Sequence, residues 1–185
     1  MTTDSGSARD THSPAAPRDT NAVNYRLEPF TEEDRTSVID IFNYFVQNSF
    51  ASYREIPVAY EMFDRFLAMI GEYPAVTVKT DAGQTVGFAF IYRYHAAETM
   101  RRTAEISYFI LPEHTGSGIG TMMLYHLIEK AGALGISNIL ASISSLNDQS
   151  LQFHRKHGFV QCGRFEEIGE KHGHVFDMVW MQKKL

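Results

Sequence analysis

A single cysteine, Cys162, leaves this 185-residue chain unable to form an internal disulfide, and a reducing cytoplasm is the natural home of such a chain. Long apolar runs are missing as well. None approaches the roughly 20 residues a membrane helix needs, and the N-terminus carries no apolar core of a secretory signal, so no membrane partner is expected. Positive charge is in deficit: 17 Lys and Arg stand against 22 Asp and Glu, a net charge of −5. That balance argues against nucleic acid as a partner, which would want a basic face. Large apolar side chains are almost absent from residues 1–24, a stretch of Thr, Ser, Asp, Ala and Pro read as a disordered N-terminal tail. Its Asp4, Asp10 and Asp19 weigh against a transit peptide.

What remains, residues 25–185, reads as one buried domain, with 44% hydrophobic and 21% charged residues over the whole chain. Tyr25–Pro29 is a short strand candidate. Thr31-Glu32-Glu33-Asp34 opens a helix with a cap and an acidic first turn, bearing Val38, Ile41, Phe42 and Phe45 on one face. Phe50–Pro57 is a loop. Glu61–Ile70 is a second amphipathic helix with Met62, Phe66, Met69 and Ile70 inward. Val76–Thr80, Val86–Tyr92 and Thr103–Leu111 are strands, followed by a helix over Gly120–Leu134, a strand over Ser137–Ser144 and a short helix capped by Asn147. Phe159–Gly163 and Phe176–Gln182 close the chain as strands. The fold class is α/β, a mixed and mostly antiparallel sheet with helices packed on it.

The most informative stretch is Ser107–Gly120. An apolar strand ends at Pro112; glycines follow at Gly116, Gly118 and Gly120; then a helix begins with Ile119, Met123, Leu127 and Leu134 as its apolar positions. A strand, a glycine loop and a helix N-terminus in that order form an anion site, because residues without side chains let a diphosphate approach unpaired N–H groups. A dinucleotide fingerprint would open the domain and place an acid at the end of the next strand, which here reads Ser142-Ile143-Ser144-Ser145. The Lys-Ser/Thr of a P-loop is absent too.

Thr115-Gly116-Ser117-Gly118-Ile119-Gly120 resembles the Q/R-x-x-G-x-G/A run of the GCN5-related N-acetyltransferase (GNAT) family, with Thr115 departing at the first position. Downstream, Asn147 to Ser150 with Leu151…His154…Gly158-Phe159, and then Lys171-His172-Gly173…Asp177…Trp180-Met181-Gln182, are similar to segments of the phosphinothricin acetyltransferase-like branch. The resemblance spans Tyr25 to Leu185. It implies a twisted sheet flanked by helices on both faces, and an acetyl-CoA-dependent N-acetyltransferase. Its acceptor would be the amine of a small amino-acid-like molecule, of the phosphinothricin or methionine-derivative type. Acetyl-CoA would be a co-substrate, with no metal. Many relatives in the branch form dimers, and the aromatic close with Phe176 and Trp180 is compatible with a homodimer.

By this resemblance the catalytic residues are Glu105, as general base on the strand before the loop, and His154, near the coenzyme sulfur. Transfer to an ammonium needs a base. Glu105 reads otherwise as a solvated edge residue, and His154 as an ordinary helix-face histidine beside Phe153. Tyr108 is an alternative aid to thiolate departure. The coenzyme-binding set comprises backbone groups of Phe109, Ile110 and Leu111, the run from Thr115 and Gly116 through Ser117, Gly118, Ile119, Gly120 and Thr121, and Asn147 and Lys156. Tyr53, Arg54 and Tyr92, with Glu105, form the substrate side; Arg54 could clamp a carboxylate or be a solvated loop residue. His172 and His174, at i and i+2 with no third ligand in register, make a poor zinc site. Cys162 reads as a buried strand residue. Two rivals keep the fold: a catalytically silent coenzyme A sensor, and a protein N-acetyltransferase.

Overall fold

The structure, a computed structural model, describes residues 23–185; the expected tail lies outside the described residues except for Val23 and Asn24. The elements run β1 (Tyr25–Pro29), α1 (Arg35–Asn48), α2 (Met62–Ile70), β2 (Ala75–Thr80), β3 (Thr85–Arg93), β4 (Thr103–Ile110), α3 (Ile119–Ala133), β5 (Asn138–Ser144), α4 (Asp148–Lys156), β6 (Val160–Lys171) and β7 (His174–Lys184). Seven strands form one sheet in the order β1-β2-β3-β4-β5-β7-β6. Every neighbouring pair is antiparallel except β4 and β5, which run parallel over only three residue pairs, Thr103↔Asn138 to Glu105↔Leu140. Among the described residues, no helix is long and apolar enough to cross a membrane.

Two cores lie on opposite faces of the sheet, as pleat alternation requires. On one, Phe88 and Phe90 of β3 pack against Val38, Phe42, Phe63 and Phe66 of α1 and α2. On the other, Val86, Ala89, Ile106, Ile139 and Val179 meet Met123, Leu124, Leu127 and Leu151 of α3 and α4. The expected mixed sheet between helices is the observed one. The faces of two helices differ from expectation. In α2, Phe63 is fully buried whereas Met69 is 39% exposed, because the buried stripe runs through Phe63, Phe66 and Ile70, with Phe63 stacked on Phe30. In α3, Leu134 lies past the last turn and is half exposed.

The last two strands are longer than the residue pattern suggests. Residues 164–170 carry few apolar positions, since β6 is the outer strand of the sheet and largely exposed on both faces. For the same reason Cys162, expected to be buried, is exposed.

The acidic turn at Thr31–Asp34 forms a short 3-10 segment leading into α1. Asp34, 2% exposed, accepts from the Thr31 N–H at 2.9 Å and faces Lys79 Nζ at 3.1 Å, while Lys79 also reaches Glu28 at 2.9 Å. One buried carboxylate thus ties the start of α1 to β1 and β2. Replacing it by alanine leaves the Thr31 N–H without its partner and weakens the hold on Lys79. Asp34→Ala is expected to lower unfolding free energy by about 3 kcal/mol in urea titration.

Candidate active site

Past Glu105↔Leu140, β4 remains on β3 as far as Gly87↔Ile110, and β5 remains on β7 as far as Ser144↔Met178. The two halves of the sheet therefore part, and the cleft between them is lined by Ser107, Tyr108, Phe109, Ser142 and Ser144, with Asn147, Ser150 and His154 of the α4 region at its end. This inner space is small, ≈ 60 Å³. It adjoins a groove of ≈ 540 Å³ that runs past Phe109, Ile110 and Asn147 to the glycine loop, Thr121, Lys156 and His157.

The glycine loop is built for an anion. Gly118 caps α3 with φ +88°, a left-handed conformation that would strain a residue with a side chain. The first intrahelical bond is Met122 N–H to Gly118 O, which leaves the N–H groups of Ile119, Gly120 and Thr121 without helix partners. A Cβ on Gly116 or Gly118 would meet nothing within 4 Å, so the backbone there is open. Unpaired N–H groups, an open backbone and Lys156 at the same groove fit a diphosphate.

The other expected coenzyme contacts divide. Phe109 and Ile110 border the groove, whereas Leu111 does not: its N–H donates to Val86 O and its carbonyl accepts from His114 N–H, both at 2.9 Å. By antiparallel alternation the N–H of Phe109 also points to β3, so it is Tyr108 and Ile110 whose N–H groups face the parting. Ser117 turns its hydroxyl back to His114 O. Asn147 Oδ1 accepts from Ser150 N–H at 3.2 Å and caps α4, which leaves its amide NH₂ for the groove. Sequence reasoning considered His157 only as a metal ligand and did not place it at this groove. Its Nδ1–H donates to Phe153 O at 2.8 Å, so its Nε2 accepts from Thr121 Oγ1 at 3.0 Å beside the loop.

His154 is 2% exposed. Its Nδ1 lies 2.7 Å from Ser150 O and donates to it, so the neutral ring presents Nε2 as an acceptor, and the Tyr108 hydroxyl donates there. Burial holds the imidazole down at about 4, against an ordinary 6.5. Burial also raises the Tyr108 phenol well above its usual value, so it keeps its proton. Tyr108 borders both the cleft and the groove, while His154 reaches only the cleft end.

Glu105 lies at the point where the strands part, on the face of α1 and α2. Directly opposed residues share a face, which brings Tyr92, Glu105 and Leu140 into one row and Ser142 and Trp180 into the next. Burial raises the Glu105 carboxyl above its ordinary value; hydrogen bonds from Ser142, at 2.8 Å, and from Tyr92 oppose this. Tyr53 overhangs the same spot from the Phe50–Pro57 loop. It is 42% exposed, but its phenol end turns in toward Ser142 and Glu105, and burial pushes that phenol up to about 12. Arg54 is exposed and borders neither the cleft nor the groove. His172 and His174 sit in and beside the β6–β7 turn, and among the described residues no three His, Cys, Asp or Glu gather as a metal cluster.

A long groove that leads from unpaired helix N–H groups to a cleft where Ser142 bonds a half-buried carboxylate suits group transfer. Residues 27–180 match the GNAT acetyltransferase domain. The chain is 33% identical to an L-methionine sulfoximine/L-methionine sulfone acetyltransferase of Pseudomonas aeruginosa, over 82% of this chain and 90% of that one. A phosphinothricin acetyltransferase of Sinorhizobium meliloti, solved in complex with acetyl-CoA, superposes with a TM-score of 0.82 at 31% identity, covering 87% of this chain and 88% of the other. A ribosomal-protein-alanine N-acetyltransferase of Brucella melitensis superposes at 0.80 with 30% identity, covering 86% and 99%. This chain belongs to the GNAT family of acetyltransferases.

The His154 environment has a pH signature. In the unfolded chain the ring protonates near 6.5, but in the folded chain only near 4. Between those values the unfolded state binds more protons, so stability falls as pH falls through that window. This residue is expected to cost wild type about 2 kcal/mol between pH 7 and pH 5. His154→Gln, which keeps a donor and an acceptor but does not titrate, should flatten that dependence in urea titrations at the two pH values.

Proposed function

We propose that the chain transfers the acetyl group of acetyl-CoA directly to the amine of a small amino-acid-like molecule of the methionine sulfoximine, methionine sulfone or phosphinothricin type. The observation that carries this reading is the parting of β4 from β5 beside Glu105, with the open N-terminus of α3 along the same groove. The phosphates would rest on the N–H groups of Gly118–Thr121 near Lys156. The amide-bearing arm would lie against β4 like an added strand, facing Ile110 and the Asn147 side chain.

Glu105 takes a proton from the substrate ammonium, freeing the nitrogen lone pair to attack the thioester carbonyl. The backbone N–H groups of β4 that face the cleft polarise that carbonyl. As the new C–N bond forms and the C–S bond breaks, the Tyr108 hydroxyl swings its one proton from His154 Nε2 toward the leaving sulfur, and the second proton shed by the nitrogen goes to that sulfur, which leaves as the free thiol. His154, neutral and enclosed, orients that hydroxyl. Tyr53, Tyr92 and Trp180 make the acceptor side aromatic, and the Tyr53–Phe176 stack and the Tyr94–Trp180 edge contact narrow it. That narrowness favours a small molecule over a protein N-terminus, and the half-buried carboxylate beside it favours an enzyme over a silent sensor.

The proposal extends to a homodimer in a reducing cytoplasm. Phe165, Ile168 and Val175 are 52%, 52% and 53% exposed on the outer hairpin, apolar side chains on both faces of the free edge of the sheet that a second copy would cover.

Calorimetry should detect binding of acetyl-CoA, and its absence would remove the reading. Glu105→Gln is expected to lower kcat/KM at neutral pH by roughly 10²- to 10⁴-fold with coenzyme affinity retained, followed as thiol release. Burial lifts the Glu105 carboxyl above its ordinary 4.5, and the carboxylate is the active form. The wild-type acid limb should therefore lie above pH 4.5, with activity rising as pH rises through it, and this limb should be missing in Glu105→Gln.

A further inference from the structure

Lys171, the last residue of β6, takes no part in the chemistry above, yet it is 0% exposed. An ammonium removed from water needs three acceptors. Three are present: Ser49 O at 2.7 Å, Ser52 O at 2.8 Å and Phe45 O at 3.5 Å. Phe45 is in the last turn of α1 and Ser49 is its C-terminal cap, where carbonyls lack helix partners and the dipole favours a cation. Ser52 belongs to the loop that carries Tyr53. A residue 119 or more positions away in sequence thus joins the end of a helix to the loop leaving it.

The neighbouring residues grip the same loop. His172 and Gly173 have φ of +50° and +75°, the signature of a tight two-residue hairpin turn, and the His172 N–H donates to Glu55 Oε1 at 2.6 Å. Along β7, His174 meets Phe50 edge-on at 5.8 Å, and Phe176 stacks on Tyr53 at 5.7 Å with the planes 7° apart. Behind Phe176 is Gly169, where a Cβ would come within 2.3 Å of the ring. The ring is therefore held between the β6 backbone and Tyr53.

We infer that the β6–β7 turn is a clasp for the acceptor loop, and that Lys171 is a positioning residue whose ammonium sets where Tyr53 stands over Glu105. It thereby governs affinity for the amine more than for the coenzyme, whose groove the same segment borders at Phe45, Ser49 and Phe50. This rests on the reading of the Glu105 side as the acceptor site. All three partners of the ammonium are main-chain carbonyls, so it fixes the path of the loop whatever side chains the loop bears. Phe176, squeezed from behind, transmits the position of the strand to the phenol.

The test is steady-state kinetics on the full chain, with methionine sulfoximine and phosphinothricin as acceptors, together with calorimetry of acetyl-CoA. Lys171→Met is expected to raise the amine KM roughly tenfold or more while acetyl-CoA Kd changes less than about twofold. In a Tyr53→Ala background the same change should add little, because both act on one element. Gly169→Ala, which leaves Lys171 in place but drives Phe176 toward Tyr53, should raise the amine KM in the same direction and serves alone if Lys171→Met does not fold. An amine KM that stays at the wild-type value, or an acetyl-CoA Kd that rises as far as the amine KM, overturns the inference. Should the wild-type protein acetylate neither amine, the acceptor reading fails, and hydrogen–deuterium exchange still judges the clasp. Residues 49–55 must lose protection in Lys171→Met (or in Gly169→Ala), and unchanged protection there overturns it.

Discussion

A parallel pairing three residues long, and its abrupt end, governs the rest of this molecule. Strands β4 and β5 meet only from Thr103↔Asn138 to Glu105↔Leu140. Each is then held by its antiparallel partner on the other side, β4 by β3 and β5 by β7. Two such pairs, each with its own twist and its own packed residues, can diverge without either losing its core. The cost falls on the facing edges, where main-chain N–H and C=O groups of an extended strand go without a sheet partner. A ligand with amides spaced along a chain meets that need better than water does. The same divergence places Glu105 at the floor of the opening, where it is half-buried and still reached by Ser142 and Tyr92.

How much of this was legible in the residues depended on distance along the chain. The glycine loop and its helix were readable because their physics is local: a proline ends a strand, and Gly118 supplies a left-handed cap that few other residues adopt. The Asn147 cap was readable for the same reason. The phase of α2 was not, because Met62, Phe63 and Met69 are all apolar, and only the packing of Phe63 on Phe30 and under the Arg35 guanidinium selects the stripe. Leu111 looked like one more strand residue facing the coenzyme, until the register assigned its N–H to Val86. The outer half of β6 was illegible in principle: an edge strand exposed on both faces has no alternation to read.

Pairings across the fold were hidden for a different reason. Tyr108 and His154 are 46 residues apart, and the histidine by itself resembles an acid–base group on an accessible helix face. Burial reverses that reading. An imidazole whose Nδ1–H is committed to Ser150 O and whose Nε2 receives the Tyr108 hydroxyl has no free lone pair or proton to lend at neutral pH. In the proposed reaction its effect passes through the phenol it holds. Because the phenol is also desolvated, it stays protonated, with its one proton resting on His154 Nε2.

The outer strand of the closing hairpin is polar and mostly exposed and contributes no buried apolar residue, yet the hairpin reaches across to the loop after α1. Its turn contacts the loop after α1 through Lys171 and His172, and its second strand contacts the same loop through His174 and Phe176. Little of this loop is buried, with Ser52 alone enclosed among residues 50–57 and Ile56 79% exposed, so packing alone would leave its course weakly specified. Main-chain carbonyls turned onto one enclosed ammonium specify it instead. Hydrogen bonds to a desolvated charge are stronger and more directional than contacts between exposed side chains. A loop held in this way can exchange its outward side chains without losing its path. On the proposed reading, acceptor preference can therefore vary through Tyr53 while the loop keeps its place beside the groove that Ser49 and Phe50 border.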